Sequence, residues 1–242
     1  MGVVNVTPDS FSEGAAIVDV GGESTRPGAA RVDRDEEMRR VIPVVAELAS
    51  AGAVVSVDTM WEATARAALE AGAAIVNDVS GGRADERMLP LVAEAGCPFV
   101  VMHWRAHSQK MQEHTTYEDV VADVIVELSD QIQRALDAGV DESLIVVDPG
   151  LGFSKTGEQN WELLAALPQF ERLGFPLLVA ASRKKFLGSL LAQGEALRPA
   201  EQRDAATAAI SVLADLGGAW CVRVHDVASS VDALAVSRRF QQ

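Results

Sequence analysis

No stretch of about 20 consecutive apolar residues occurs in this chain, so nothing in it reads as a bilayer-spanning helix. The start, Met1-Gly2-Val3-Val4-Asn5, lacks the basic and apolar regions of a signal peptide. Cysteine is nearly absent: Cys97 and Cys221 stand far apart, each in an apolar stretch, with no CxxC or His–Cys cluster beside them. That pattern excludes a sequence-readable zinc site and reads as two reduced, buried thiols in a cytoplasmic protein. Positive charge is also short, with 21 Lys and Arg against 35 Asp and Glu and a net charge of −14. Broad binding to nucleic acid or to an anionic membrane needs a basic face and is excluded. A small anionic substrate is not, because local Arg, Lys and backbone N–H groups decide its binding. The dinucleotide signature GxGxxG follows none of the predicted strands.

What is present is a repeating pattern. With 242 residues, 48% of them hydrophobic, the chain has the size of one α/β barrel, a single domain over residues 1–242. Apolar runs predict strands at Gly2–Val6, Ala16–Val20, Val54–Asp58, Ala74–Asp78, Phe99–His103, Leu144–Asp148, Leu177–Ala181 and Ala219–Val224. Three- and four-residue apolar spacing predicts helices at Arg34–Ala51, Trp61–Ala71, Glu86–Ala95, Tyr117–Ala138, Asn160–Leu173, Pro199–Leu216 and Val227–Arg239. Six of these stop at a glycine (52, 72, 96, 139, 174 and 217), where a left-handed cap is easily formed. Repeated helix–Gly–strand units imply a parallel sheet with right-handed crossovers, and eight strands favour a closed (β/α)8 TIM barrel. One connection is too short. Thr7 to Ala15 can return the chain but cannot cover the barrel wall, so the first crossover helix is expected to be missing, with the join near Gly14.

The strand ends carry the chemistry. Asp58, Asn77, His103, Asp148, Ser182 and His225 each follow an apolar run. Asp58, Asn77 and Asp148 together offer acceptors and donors suited to a flat heterocycle with amino and oxo edges, and Met102 offers an adaptable apolar wall. Asp78 alternates away from Asn77 and reads as a cap. The loop Gly21-Gly22-Glu23-Ser24-Thr25-Arg26-Pro27-Gly28 combines backbone N–H groups, hydroxyls and a guanidinium, a set suited to an oxyanion such as diphosphate. Loops after strands seven and eight hold phosphate in many such barrels, and here they carry Ser182-Arg183-Lys184-Lys185 and Arg223-Val224-His225. Arg223 and His225, two apart, face the same side. Phe153 lies in a glycine-rich loop with little core to join, which suggests substrate contact. Trp61, Trp161 and Trp220 read as packing, Asp33–Glu37 as a solvated helix start, and His103, Trp104, Arg105 and His107 as a mobile loop without further assignment.

Asn5-Val6-Thr7-Pro8-Asp9-Ser10-Phe11-Ser12, Gly22-Glu23-Ser24-Thr25-Arg26-Pro27-Gly28, Asp148-Pro149-Gly150-Leu151-Gly152-Phe153, Ser182-Arg183-Lys184 and Arg223-Val224-His225-Asp226 resemble the dihydropteroate synthase family of pterin-binding barrels. The resemblance runs from Asn5 to Asp226. It implies a transferase that condenses 6-hydroxymethyl-7,8-dihydropterin diphosphate with p-aminobenzoate, assisted by Mg2+. It also implies a cytoplasmic homodimer at the folate-pathway step that sulfonamides block. By resemblance, Asp58, Asn77, Asp148 and Lys184 hold the pterin edge, with Met102 in the wall. Asn5, Arg26, Arg223 and His225 hold diphosphate, and Asn5 also the metal. Phe11, Thr25, Pro27, Phe153, Ser182 and Lys185 frame p-aminobenzoate. Asp58, Lys184, Arg223 and His225 form the catalytic set. Two departures stand out: Ala181 where many relatives have glycine, and Lys185 where serine is common.

Two other readings share the pterin carboxylates. One is a barrel that moves a methyl group from methyltetrahydrofolate to a corrinoid protein, for which the anion set Arg26, Arg223 and His225 has no use. The other is an inactive paralogue that binds pterin without turnover.

Overall fold

Short apolar runs form eight parallel strands among the described residues. These are β1 (Gly2–Asn5), β2 (Val18–Gly21), β3 (Val55–Asp58), β4 (Ile75–Asp78), β5 (Phe99–Met102), β6 (Ile145–Asp148), β7 (Leu178–Val179) and β8 (Cys221–Val222). The computed structural model describes residues 1–5, 14–23 and 32–242, except the side chain of Asn5. Phe11, Thr25, Arg26, Pro27 and the Asn5 side chain therefore lie outside the described residues. Strands β1 to β6 pair in sequence order, and β7 pairs with β8. Single bridges join the two sheets, Val147 to Leu177 on one side and Gly2 to Val224 on the other. The Val3 N–H donates to the Val224 carbonyl at 3.0 Å, so the last strand meets the first and the barrel closes.

The helices are α1 (Arg34–Ser50), α2 (Glu62–Glu70), α3 (Met88–Ala95), α4 (Val120–Asp137), α5 (Gly157–Ala165), α6 (Lys185–Leu190), α7 (Asp204–Leu216) and α8 (Val227–Phe240). Every strand from β2 onward is followed by a helix, whereas among the described residues none follows β1. β1 and β2 pair directly, Gly2 with Val18 through Asn5 with Gly21.

Strand alternation sorts the residues into two layers. Val18, Val20, Val55, Val57, Val76, Phe99, Val101, Ile145 and Val147 face outward into a core shared with Val41 and Val45 of α1, Ala65 of α2 and Leu128 of α4. The alternate residues face inward. Ile75, Val100, Val146, Leu178 and Ala180, with Ile17 and Cys221 against them, form an apolar floor. Two residues further along, the same inward face turns polar on every one of these strands but β5: Asp19, Asn77, Asp148, Ser182 and Arg223, with Met102 the exception. The barrel is thus plugged by hydrocarbon at one end and opens on charged groups at the other.

Several sequence expectations need correction. The helix expected over Asn160–Leu173 is two elements. Thr156 caps α5 in a reciprocal box with Gln159, and a 3-10 turn covers Leu167–Leu173, because Pro168 lacks the N–H an α-helix needs. The Ser182–Lys185 charge run leads into α6, a helix too short to show periodicity. Gly217 has φ −82°; the left-handed residue is Gly218. Glu37 is buried, not solvated, and accepts from Thr59 and Thr64 hydroxyls at 2.8 Å each. Trp220 is 56% exposed rather than packed. Cys97 is buried and Cys221 half-buried, both free.

Gly150 sets the approach of the β6 loop to the end of β5. Its φ is +67°, and a Cβ there would lie 2.3 Å from the His103 carbonyl oxygen. Gly52 has a similar φ of +85° but open space around it. Gly52→Ala is expected to lose about 1–2 kcal/mol from backbone strain alone. Gly150→Ala should lose about 1–3 kcal/mol more from overpacking. Urea unfolding of both variants checks the difference, and equal losses would contradict the contact.

Candidate active site

Buried charges require partners, and inside this barrel one arginine supplies them. A lone buried carboxylate loses several kcal/mol of solvation. Asp19 of β2 is fully buried, and its Oδ2 receives Arg223 Nε at 2.6 Å and Asn77 Nδ2 at 3.2 Å. Arg223 Nη2 donates to Asp58 Oδ2 at 2.8 Å. One guanidinium from the end of β8 thereby bridges two carboxylates, from β2 and β3. Burial pulls the Arg223 pKa down, but Asp19 and Asp58 outweigh it and hold it above the ordinary arginine value. Burial pushes Asp58 up from 3.8 to about 7, with Arg223 opposing and Asp19 adding to the rise. Gly21 leaves room for this arrangement, since a Cβ there would sit 3.3 Å from the Asp58 Cβ.

Around the same mouth, Asp148 is buried and accepts from the Gly150 N–H at 2.7 Å. Burial raises its pKa and Lys184 opposes the rise. Burial lowers Lys184 to about 8, partly offset by Asp148. The Lys184 ammonium donates to the Leu151 carbonyl and lies 4.7 Å from the Phe153 ring centre. Gly152 makes this possible, because a Cβ there would sit 2.8 Å from Lys184 Cδ. Electrostatic coupling links Lys184 to Asp148, Arg223 and Asp58, so these expected residues do share one mouth.

Ser182 and His225 meet as well. The Ser182 hydroxyl accepts the His225 backbone N–H at 3.1 Å and lies 2.9 Å from Nδ1. The contact holds the His225 ring beside Ser182. Arg183 turns away from the mouth, with φ +59° and a two-pronged pair to Asp204 at 2.7 Å for each bond. Lys185 is exposed at the start of α6. Asp78 points outward, as expected, and fastens the following turn through the Ser80 and Gly82 N–H groups.

Phe153 departs from its sequence rationale. It does have a core to join: a rim cluster of Met60, Val79, Met102, Trp104 and Met111. The sequence reading missed Asp19 altogether. Its available signal was an acid in mid-strand, Val18-Asp19-Val20, on the inward face. His103 and Arg105 also belong to a buried network rather than to a free loop.

A sequence profile for the family described as Pterin binding enzyme matches residues 11–225. A dihydropteroate synthase of Mycobacterium leprae is 55% identical, over 98% of this chain and 91% of its own length. The chain belongs to the dihydropteroate synthase family. The M. leprae alignment spans 258 positions, more than the 242 residues here, so part of that relative has no counterpart in this chain. A Xanthomonas albilineans dihydropteroate synthase solved with 4-aminobenzoic acid superposes with a TM-score of 0.90 at 41% identity, covering 99% of this chain and 92% of that one. The X. albilineans enzyme in complex with 7,8-dihydropteroate gives a TM-score of 0.87 at 39% identity, with the same coverage of 99% and 92%. These likenesses confirm the (β/α)8 barrel and the transferase class of this dihydropteroate synthase family member. No described helix is long and apolar enough to cross a membrane.

The Asp58–Arg223 pair has a titration signature. With its folded pKa above the unfolded 3.8, Asp58 keeps a proton that the unfolded chain has lost between about pH 4 and pH 7. Its contribution to stability therefore declines as pH rises through that window. Carbon-detected NMR should show Asp58 titrating near pH 7, and Arg223→Met should move it higher by removing the lowering charge. A titration near 4 in the unaltered protein would contradict the burial argument.

Proposed function

We propose that the residues around this mouth divide the dihydropteroate synthase reaction between a pterin site, a diphosphate site and a p-aminobenzoate site, in one barrel domain over residues 1–242. Asp58, Asn77, Asp148 and Lys184 hold the dihydropterin edge against Met102. Asn5, Arg26, Arg223 and His225 hold the diphosphate. Phe11, Thr25, Pro27, Phe153, Ser182 and Lys185 frame p-aminobenzoate.

The observation that carries this reading is the seat of Arg223 between Asp19 and Asp58, beside Asn77. It puts the proposed pterin contacts and a diphosphate-binding cation within one hydrogen-bonded group, as a substrate with both ends requires. Among the described residues no partner is bonded to Arg223 Nη1, so donors remain for the anion.

In the proposed step the C–O bond between the pterin methylene and the diphosphate breaks, and diphosphate leaves with the electron pair. The arylamine nitrogen then forms the C–N bond and gives up a proton. No side-chain nucleophile is needed. Arg223 and His225 stabilise the negative charge that develops on the leaving group. Ionised Asp58 stabilises the positive charge developing on the pterin-methyl carbon, which makes its ionisation part of the catalytic cycle. A hard cation on a diphosphate takes its ligands chiefly from phosphate and water, with one or two protein oxygens. The Asn5 amide at the end of β1 suits that chemistry, and Mg2+ held there would neutralise departing charge.

Both thiols are free, which suits a reducing cytoplasm. Leu213 and Leu216 lie about one turn apart on α7, and Val236 and Phe240 about one turn apart on α8; all four are exposed, Phe240 to 92%, and a second copy of the chain is their proposed partner. Sedimentation should give a dimer, and Phe240→Asp with Val236→Asp should shift it to monomer; an unaltered monomer would remove this part of the reading.

Diphosphate release from the dihydropterin diphosphate, p-aminobenzoate and Mg2+ tests the activity. Release with formation of dihydropteroate is expected when both substrates are present, and pterin binding without release would instead identify an inactive binder. Asp58→Asn should lower kcat by about 100-fold or more while weakening pterin binding far less. Equal losses in both would argue against the charge-stabilising role.

A further inference from the structure

Lys155 ends the glycine-rich loop after β6 and has no part in the chemistry above. It is 3% exposed, so a long basic side chain is held inside the protein. Its Nζ lies 2.9 Å from His103 Nδ1, 3.1 Å from the Gly150 carbonyl oxygen and 3.0 Å from that of Phe153. An ammonium has three N–H groups, and three acceptors surround this one.

The acceptors are themselves oriented. His103 is wholly buried, and its Nε2 lies 2.9 Å from Glu127 Oε2. Burial and the neighbouring Lys155 push His103 down to about 3, so the ring is neutral. Burial alone would raise Glu127, but hydrogen bonds from His103 and Arg105 outweigh it and lower it to about 2. The single ring proton therefore sits on Nε2, donated to the carboxylate, and Nδ1 is left to accept from Lys155. Arg105 fixes the far side of Glu127, donating Nε to Oε2 at 2.9 Å and Nη2 to Oε1. The Arg105 guanidinium also lies 3.7 Å from the Tyr117 ring centre, and the Tyr117 hydroxyl donates to the Ser154 carbonyl at 2.9 Å. The carbonyls of Gly150, Phe153 and Ser154 are all tied by side chains from this network.

We propose that Lys155 is a positioning residue whose ammonium, oriented by His103 and Glu127, fixes the Gly150–Ser154 loop and so sets Phe153 for the arylamine substrate. The inference rests on the reading that Phe153 borders p-aminobenzoate. On the pterin side Asp148 has the additional support of the β5–β6 pairing, its carbonyl accepting the His103 backbone N–H at 2.9 Å. A neutral amine has two N–H groups for three acceptors, so loss of the proton releases one of these ties. Burial lowers the Lys155 pKa well below 10.5, with Lys184 and Arg105 adding to the fall and Asp148 and Glu127 opposing it.

The test compares the full-length protein with Lys155→Gln and Glu127→Gln. Losing a hydrogen bond to a charged group should raise KM for p-aminobenzoate about ten-fold in Lys155→Gln, with KM for the pterin diphosphate and kcat held within about two-fold. Glu127→Gln should shift the same constant in the same direction. In the unaltered protein KM for p-aminobenzoate should climb on the alkaline side, below pH 10.5, and Lys155→Gln should lack that limb. Amide hydrogen exchange at Gly152 and Phe153 should accelerate in both variants, a readout that needs no activity. Parallel rises in both KM values, or unchanged exchange in variants with native circular dichroism, would overturn the inference. Should Lys155→Gln not fold, Glu127→Gln alone decides. An unaltered protein that releases no diphosphate would defeat the proposed function, while the exchange data would still judge the loop brace.

Discussion

The seat of one guanidinium between two buried carboxylates governs this molecule. Asp19 and Asp58 stand on adjacent strands with their side chains turned into the barrel, where two negative charges alone would repel and lose solvation. Arg223, arriving from the opposite end of the chain, hydrogen-bonds to both. Asn77 then takes its orientation from Asp19. The glycine at 21, the inward alternation of each strand and the closure of β8 onto β1 all serve to bring that group of four together.

Around it the mouth is graded by burial rather than by charge count. Asp58 near 7 and Lys184 near 8 are both displaced towards neutrality from their ordinary values. Groups poised in this way change protonation with little penalty when a ligand brings or removes charge. Although the net charge is −14, two cations, Arg223 and Lys184, are gathered at this mouth.

Much of this was legible in the amino-acid order. All eight strands coincide with apolar runs, and a period of two turns Asp58, Asn77, Asp148 and His225 to the inward face, while His103, one residue past the inward Met102, turns the other way. The family resemblance came from loops, yet half of those loop residues, Thr25, Arg26 and Pro27 among them, lie outside the described structure. What the order concealed has physical reasons. Asp19 is flanked by valines and looks like an interruption in a strand, because its partner lies 204 residues away. His103, Glu127 and Lys155 come from a strand end, a helix and a loop, so no spacing rule joins them. Phe153 looked coreless because its neighbours Met60, Met102 and Met111 are scattered along the sequence. Arg183 reads as one of three surface charges until its left-handed backbone turns it onto Asp204.

The barrel closes by single bridges on either side of a two-residue β7–β8 ladder. During synthesis the first six strands leave the ribosome long before Arg223 does. Until the last strand arrives, Asp19 and Asp58 form an acidic hole without the guanidinium that pairs them. A prematurely terminated chain would keep that hole open, unable to dry its own interior. Closing the barrel and pairing its two inward acids are therefore a single event, completed only by the last strand.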